Sequence, residues 1–334
     1  MKILVTGGAG FIGANLVLAL HQQGHDVVVL DNLAGGSQNL PAIKGKCTFI
    51  NGDVCSRPTV KQALKGVERI YHLAAHAAEG PSVYIPTFNA QTNLIGSITI
   101  LSEAIAAGIR DIIFPSSIAA YGKPEHLPIS ETHPLHPEDP YGITKMAFER
   151  YLGVYHELGY IDPIIFRFYN VFGPLQRMDD PYRGVVPIFI NKCLKNEPPV
   201  IFGDGLQQRA LTYISDVIGP LTTYITDRRL INNPLNIGSS EVWSIRQLAE
   251  EIIKIFGLPF APHMVEARKT DVKITYCDTT KARELLGYKA NVSVSDGLKA
   301  TVTWVRQQGA REFTYMSSYE IPKLAHTAYT KKVI

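Results

Sequence analysis

The sequence is poor in the features that mark several protein classes. It has four cysteines, Cys47, Cys55, Cys193 and Cys277, and no two form a C-x-x-C pair. That argues against a zinc site of the usual spacing. The ten histidines show no ligand spacing either, so no metal is expected. No block of five or more like charges occurs. Neither a nucleic-acid tail nor a membrane patch is therefore expected. No apolar run approaches the ~18 residues of a membrane span. The opening MKILVTGG turns glycine-rich instead of continuing as a signal peptide would. These absences point to a cytoplasmic protein with reduced thiols. In that setting the NVS at Asn291 reads as a chance glycosylation sequon. Internal repeats and low-complexity tracts are also missing.

What remains is a chain of 334 residues, 46% hydrophobic, with a formal charge of +3. That length suffices for a large core, as one big domain or two coupled ones. Six β-rich runs read as strands: 2–6, 26–31, 47–53, 69–75, 110–117 and 162–170. They are apolar almost throughout, as parallel strands covered on both faces must be. Between them lie stretches such as FIGANLVLALHQQG and NLIGSITILSEAIAAG, with apolar residues at helical spacing. The alternation predicts an α/β doubly wound sheet. After residue 171 the pattern loosens into a loop rich in Pro, Gly and charge. A smaller, discontinuous second region is expected over 171–310, with one strand near 234–240 returning to the first. The tail, 311–334, has no periodicity that assigns it.

VTGGAGFIG places Gly7, Gly10 and Gly13 directly after the first strand and at the start of a helix. Such glycines allow a tight turn, close backbone approach to a pyrophosphate, and close helix–strand packing. The helix N-terminus then faces the phosphates. The alternative is a glycine-rich turn without a ligand. Asp31 ends the second strand, 18 residues past Gly13. A carboxylate there accepts from adenosine ribose hydroxyls and repels the extra phosphate of NADP, so NAD is favoured. Asp53, ending the third strand, either meets the adenine or caps a helix.

YGITK sets Tyr141 and Lys145 at i and i+4, and the preceding EDP reads as a helix start. A nearby ammonium stabilises a phenolate and lowers the tyrosine pKa. Beside NAD, such a pair can take an alcohol proton as hydride leaves the same carbon. By itself Y-x-x-x-K is also the pattern of an ordinary solvated helix face. Ser117 ends the fifth strand, at the edge where open parallel sheets bind ligands. Its hydroxyl either bridges substrate and tyrosine oxygens or only caps the strand end.

Taken in order, TGGAGFIG, DNL, GDV, HLAA, the N-x-x-G-S at Asn93, SSIAAYG, PYGITK, RFYNVFGP, FGDGLQQR and DTTKARELLGY resemble the extended short-chain dehydrogenase/reductase family. Within it, they resemble nucleotide-sugar epimerases of the UDP-glucose 4-epimerase type, over roughly residues 1–305. The resemblance implies a Rossmann domain over 1–170 with about seven strands, and a smaller C-terminal α/β substrate domain. It implies that Ser117, Tyr141 and Lys145 are catalytic. NAD would contact Gly7, Gly10, Phe11, Ile12, Gly13, Asp31, Asn32, Asp53, Val54, Leu73, Ala74, Ala75, Asn93 and Ser116, besides Tyr141 and Lys145. Ser117, Asn170, Val185, Arg209, Arg268, Asp271 and Thr275 would hold a UDP-sugar. Arg209 and Arg268 would clamp the diphosphate as guanidinium forks, and Asp271 would accept from the uridine ribose. A homodimer through two Rossmann-domain helices is usual in the family.

The chain departs from the family pattern at Ala210, Ser215, Lys269, Thr270 and in EGPS at 79–82. Related dehydratases and decarboxylases carry an acid inside the SSIAAYG motif. Here those positions are Ile118 and Ala119, which cannot transfer a proton. The expected reaction therefore stops at oxidation and re-reduction of C4 in a UDP-hexose. Asn170 is the hexose-type residue. UDP-glucuronate 4-epimerases, which often have Thr there, and 4-keto-sugar reductases are the nearest alternatives. A non-catalytic NAD-binding regulatory protein is a third, but such proteins commonly lose the tyrosine or lysine. Thr275 takes the gatekeeper position, where a residue smaller than tyrosine would leave room for N-acetyl groups.

Overall fold

Runs rich in Ile and Val, whose β-branching favours strand over helix, build the central sheet. The computed structural model describes residues 1–223, 226–267, 273–316 and 318–322. In it β1 spans Lys2–Thr6, β2 Asp26–Asp31, β3 Thr48–Asn51, β4 Arg69–His72, β5 Asp111–Ser117 and β6 Asp162–Phe168. The strand Leu235–Ile237 returns to the edge beside β6 and makes seven, as expected from the 234–240 run. The order is Leu235–Ile237, β6, β5, β4, β1, β2, β3, and every pair is parallel. This is the Rossmann doubly wound sheet.

Three strands stop short of the sequence expectation, at residues 51, 72 and 168 rather than 53, 75 and 170. After β4 the backbone leaves the ladder because the Thr6 hydroxyl accepts from the Ala74 N–H at 3.1 Å. After β6 the chain turns at Asn170, whose φ is +44°. The strand order reverses at β1, between β2 and β4. The carboxyl ends of these strands diverge there and leave a crevice.

One face of the sheet packs on the helices Phe11–Gln22, Ile214–Thr223 and Thr280–Leu286, through Leu16, Val17, Leu20, Val217, Leu221 and Ala282. The other packs on Arg57–Ala63, Gly96–Ala106 and Pro140–Glu157, through Val60, Ile100, Leu101, Phe148 and Leu152. More of the second half therefore returns to the large sheet than the single strand expected. A separate core joins the helices Val185–Leu194, Ile245–Phe256 and Val294–Gln308. Beside it lies a small sheet. Gln208–Ala210 pairs antiparallel with Val242–Ser244 and parallel with Ile274–Thr275.

The segment after the last helix, unassigned from sequence, runs back across the molecule. Asn191 and Arg311 exchange two hydrogen bonds, of 2.8 and 2.9 Å. Thr314 N–H donates to the Asp179 carbonyl at 2.7 Å. Glu320 accepts from the Thr87 and Phe88 N–H groups at 2.8 and 2.9 Å. The segment thus ties the helical core of the second half to the helix Pro86–Ala90. Among the described residues no helix is long and apolar enough to cross a membrane. No cluster of His, Cys, Asp or Glu there could hold a metal.

Candidate active site

The glycine turn is shaped by what a side chain would meet. Gly7 has φ of +69°, and a Cβ there would lie 2.7 Å from the Ala74 nitrogen. At Gly13 a Cβ would lie 2.1 Å from the Gly7 carbonyl oxygen. Gly10 opens the helix Phe11–Gln22 without a side-chain cap, and no acid sits in its first turn. The first-turn N–H groups are thus left for a phosphate. Phe11 and Ile12 are the first, half-buried helical residues.

Asp31 accepts from the Ala9 N–H at 3.0 Å and the Leu33 N–H at 2.8 Å. Burial pushes its carboxyl above the usual range, and those two bonds oppose the shift. Asn32 donates to Asp53 at 2.9 Å, and Asp53 also accepts from the Cys55 N–H at 2.8 Å. Asp53 is therefore no helix cap; Ser56 occupies that position before Arg57–Ala63. Val54 is buried in the second core. Leu73, Ala74 and Ala75 line the turn after β4, half-buried. The Ser116 hydroxyl is buried without a hydrogen-bond partner. An uncapped helix start, a carboxylate at the end of β2 and an orphaned hydroxyl at the inner end suit a dinucleotide. These residues fit NAD.

His72 is a strut. Its Nδ1 lies 2.7 Å from Thr6 Oγ1 and its Nε2 lies 2.7 Å from Ser97 Oγ. Complete burial, with Lys145 nearby, pulls its pKa down to about 3, so it is neutral. Asn93 is buried in the helical turn Gln91–Ile95. It accepts from the His76 N–H at 2.7 Å and donates to Thr144 at 3.2 Å, pinning the loop after β4 to the catalytic helix.

Asp139 caps that helix, accepting from the Gly142 N–H at 2.9 Å, and Pro140 is its first residue. One turn apart, Tyr141 and Lys145 face inward and are buried. Ser117 caps the short turn after β5, accepting from the Ala119 N–H at 3.1 Å, and its hydroxyl favours the Tyr141 phenolate. The cap reading of Ser117 holds. Lys145 Nζ donates to the Pro115 carbonyl at 2.9 Å and sits 4.5 Å from the centre of the Phe114 ring. Its distance to the centre of the Tyr141 ring is 5.9 Å. Burial lowers its pKa to about 8, which Glu149 opposes.

The sequence expectation that the lysine lowers the Tyr141 pKa is not met in the chain alone. Burial raises it, the Ser117 bond lowers it, the charges of Glu79 and Asp139 raise it and Arg183 lowers it. The reason is desolvation: taking a phenolate out of water costs more than the neighbouring groups return. Bound NAD would add the positive charge of its nicotinamide here.

On the opposite wall, Arg209 and Thr275 are direct partners across the small sheet. Asn170 reaches the same strand, donating to the Ala210 carbonyl at 2.9 Å. Val185 starts the helix Val185–Leu194 and packs against the third core. Arg268 and Asp271 lie outside the described residues. Sequence reasoning gave no role to Glu79, Asp180 or Arg183. Arg183 donates to Asp180 at 2.9 Å, and its charge reaches both His76 and Tyr141. The only signal in the sequence was the departure at EGPS.

The profile of the NAD dependent epimerase/dehydratase family matches residues 3–238. A putative UDP-glucose 4-epimerase from Methanocaldococcus jannaschii is 37% identical over 308 residues, covering 91% of this chain and 98% of the relative. A UDP-glucose 4-epimerase from Mycolicibacterium smegmatis is 34% identical, covering 92% and 99%. Among solved structures, the Thermotoga maritima UDP-glucose 4-epimerase with UDP-glucose aligns with a TM-score of 0.87 at 35% identity, covering 92% of this chain and 99% of that one. The Bacillus cereus UDP-glucuronic acid 4-epimerase with UDP-glucuronic acid and NAD aligns with a TM-score of 0.84 at 32% identity, covering 92% and 100%. With its sheet, glycine turn and serine–tyrosine–lysine set, the chain belongs to the NAD-dependent epimerase/dehydratase family.

Proposed function

We propose that the protein is an NAD-dependent epimerase that inverts C4 of a UDP-hexose, interconverting UDP-glucose and UDP-galactose. The observation that carries this reading is the carboxyl end of β5. Ser117 there favours the Tyr141 phenolate, and the next residues, Ile118 and Ala119, hold no proton to transfer. Bound NAD would take the hydride from C4 and return it to the opposite face. Tyr141 Oη takes the C4 hydroxyl proton, with Ser117 bonded to both oxygens, and gives it back on re-reduction. Lys145, fixed by the Pro115 carbonyl, keeps positive charge beside the phenolate and reaches the nicotinamide ribose. The 4-keto sugar turns about its diphosphate link between the two half-reactions. Arg209 holds that diphosphate, joined by Arg268, with Asp271 on the uridine ribose, and Asn170 lies on the same side.

Thr275, short and beside Arg209, supports acceptance of UDP-N-acetylglucosamine and its C4 epimer as well. A cytoplasmic homodimer completes the proposal. Its support is an apolar stripe along the catalytic helix, where Ile143, Tyr151 and Val154, and Leu158 at its C-cap, are exposed. The test is the purified protein with a panel of UDP-, GDP- and dTDP-sugars and no added cofactor, read by separation of epimers. C4 inversion of UDP-glucose is expected, without net production or consumption of reduced cofactor. Stoichiometric consumption of NADH or NADPH would instead indicate a 4-keto-sugar reductase.

A further inference from the structure

Glu79 occupies a place that the C4 chemistry leaves unexplained. It begins the one-turn helix Glu79–Ser82, directly after the loop from β4. Its neighbours Ala78, Pro81 and Ser82 are buried; Glu79 keeps solvent-accessible surface, while the protein packed around its carboxylate still desolvates it. Its backbone is fastened to the catalytic helix. The Ser82 hydroxyl donates to the Glu79 carbonyl at 2.6 Å and accepts from the Tyr141 N–H at 3.3 Å. One side chain thus fixes Glu79 relative to Tyr141. No hydrogen bond or ion pair of the Glu79 carboxylate occurs among the described residues.

Electrostatics locate the other side of this carboxylate. Its charge is felt by Tyr141, and it feels Arg209 from the opposite wall. Tyr141 is the group for C4, and Arg209 is the group for the diphosphate. The Glu79 charge thus acts on both groups that the C4-epimerase reading places around the sugar. The remaining charges nearby are committed. Asp139 caps the catalytic helix, and Arg183 is paired with Asp180. His76 is held neutral, its pKa pulled down to about 4 by burial and Arg183.

We propose that Glu79 is a specificity-determining residue of the sugar subsite: it accepts hydrogen bonds from the hydroxyls of a neutral hexose and repels a sugar that carries a carboxylate at C6. This rests on the C4-epimerase reading and deepens it by naming the substrate class. Burial, then Asp139, raises the Glu79 carboxyl to about 7, with Arg209 opposing. Discrimination should therefore grow as pH rises through neutrality and the repelling charge appears.

The experiment compares the NAD-loaded wild type with Glu79→Gln and Glu79→Ala. UDP-glucose and UDP-glucuronate are each measured for kcat/KM and, by calorimetry, for Kd. The pH is set at ~6 and ~8, on either side of neutrality. Like charges in a desolvated site repel strongly, so the wild type should favour UDP-glucose, and Glu79→Gln should shrink that preference at least ~10-fold at the higher pH. The change should appear in KM and Kd for the uronate more than in kcat, and the pH dependence of the ratio should flatten. An unchanged preference in both variants, with folding and NAD content intact, overturns the proposal. So does a wild type that binds the two sugars equally. If the wild type inverts neither sugar but the Kd ratio shifts as stated, the epimerase reading fails and the Glu79 assignment stands.

Discussion

The proton chemistry proposed for Tyr141 falls at a position where burial works against it. Its phenolate is disfavoured by desolvation and by the charges of Glu79 and Asp139, and favoured by Ser117 and Arg183. Replacing it with Phe removes the proton acceptor while keeping a ring in the same packing. The expected result is a fall in kcat of about 10³-fold or more, with Tm within ~2 °C of wild type. Steady-state kinetics and a thermal melt check both. Glu79 gives a pH prediction of definite sign. Its carboxyl goes from 4.5 in a free glutamate to about 7 in the fold. The folded chain thus holds this proton more tightly, and the stability it lends is complete below pH ~4.5 and lost as pH rises through ~7. Glu79→Gln should therefore melt higher than wild type at pH ~8 and no higher at pH ~4. Thermal melts at the two pH values check it, and equal melting temperatures at the higher pH would contradict it.

At the level of elements, the glycine turn and the catalytic helix carry the site. A methyl at Gly13 would sit 2.1 Å from a backbone oxygen and 2.8 Å from the Gly8 Cα, neither of which can rotate away. Gly13→Ala should open the turn and cut NAD content at least ~10-fold, read by cofactor release on denaturation. Beneath the helix, Glu149 and Arg167 form a buried pair at 2.5 Å, and Arg167 also donates to the Tyr121 hydroxyl at 2.8 Å. Glu149→Leu leaves that guanidinium without its anion and should cost ~3–5 kcal/mol, measured by denaturant unfolding. These elements also show what could be read from sequence. β1, the glycine turn and the Asp139 start of the catalytic helix are local patterns of period, cap and spacing, and all appear where expected. Glu79 was not legible. It sits on a single helical turn, and its meaning comes from Tyr141 and Arg209, which only the tertiary fold brings near. The segment after residue 309 was illegible for a similar reason, since bonds to Asp179, Asn191 and Tyr84, far away in sequence, set its course.

At the scale of the molecule, the sheet was readable because its strands are buried on both faces and apolar throughout. The lobe division was not readable in detail. The helices Ile214–Thr223 and Thr280–Leu286 follow the break near 171, yet pack on the first sheet. Outside the fold, Val154 is 48% exposed and Ile143 is 47% exposed on the catalytic helix. Apolar side chains left in one stripe favour association. Val154→Asp should shift the protein from dimer to monomer in light scattering, and a wild-type monomer would contradict the proposed assembly. The central claim is inversion at C4 by removal and return of one hydride. UDP-glucose deuterated at C4, given to the purified protein with no added cofactor, tests it most directly by mass spectrometry of the separated epimers. UDP-galactose that keeps the deuterium is the predicted result. Absence of the C4 epimer, or an epimer stripped of its label, would contradict it.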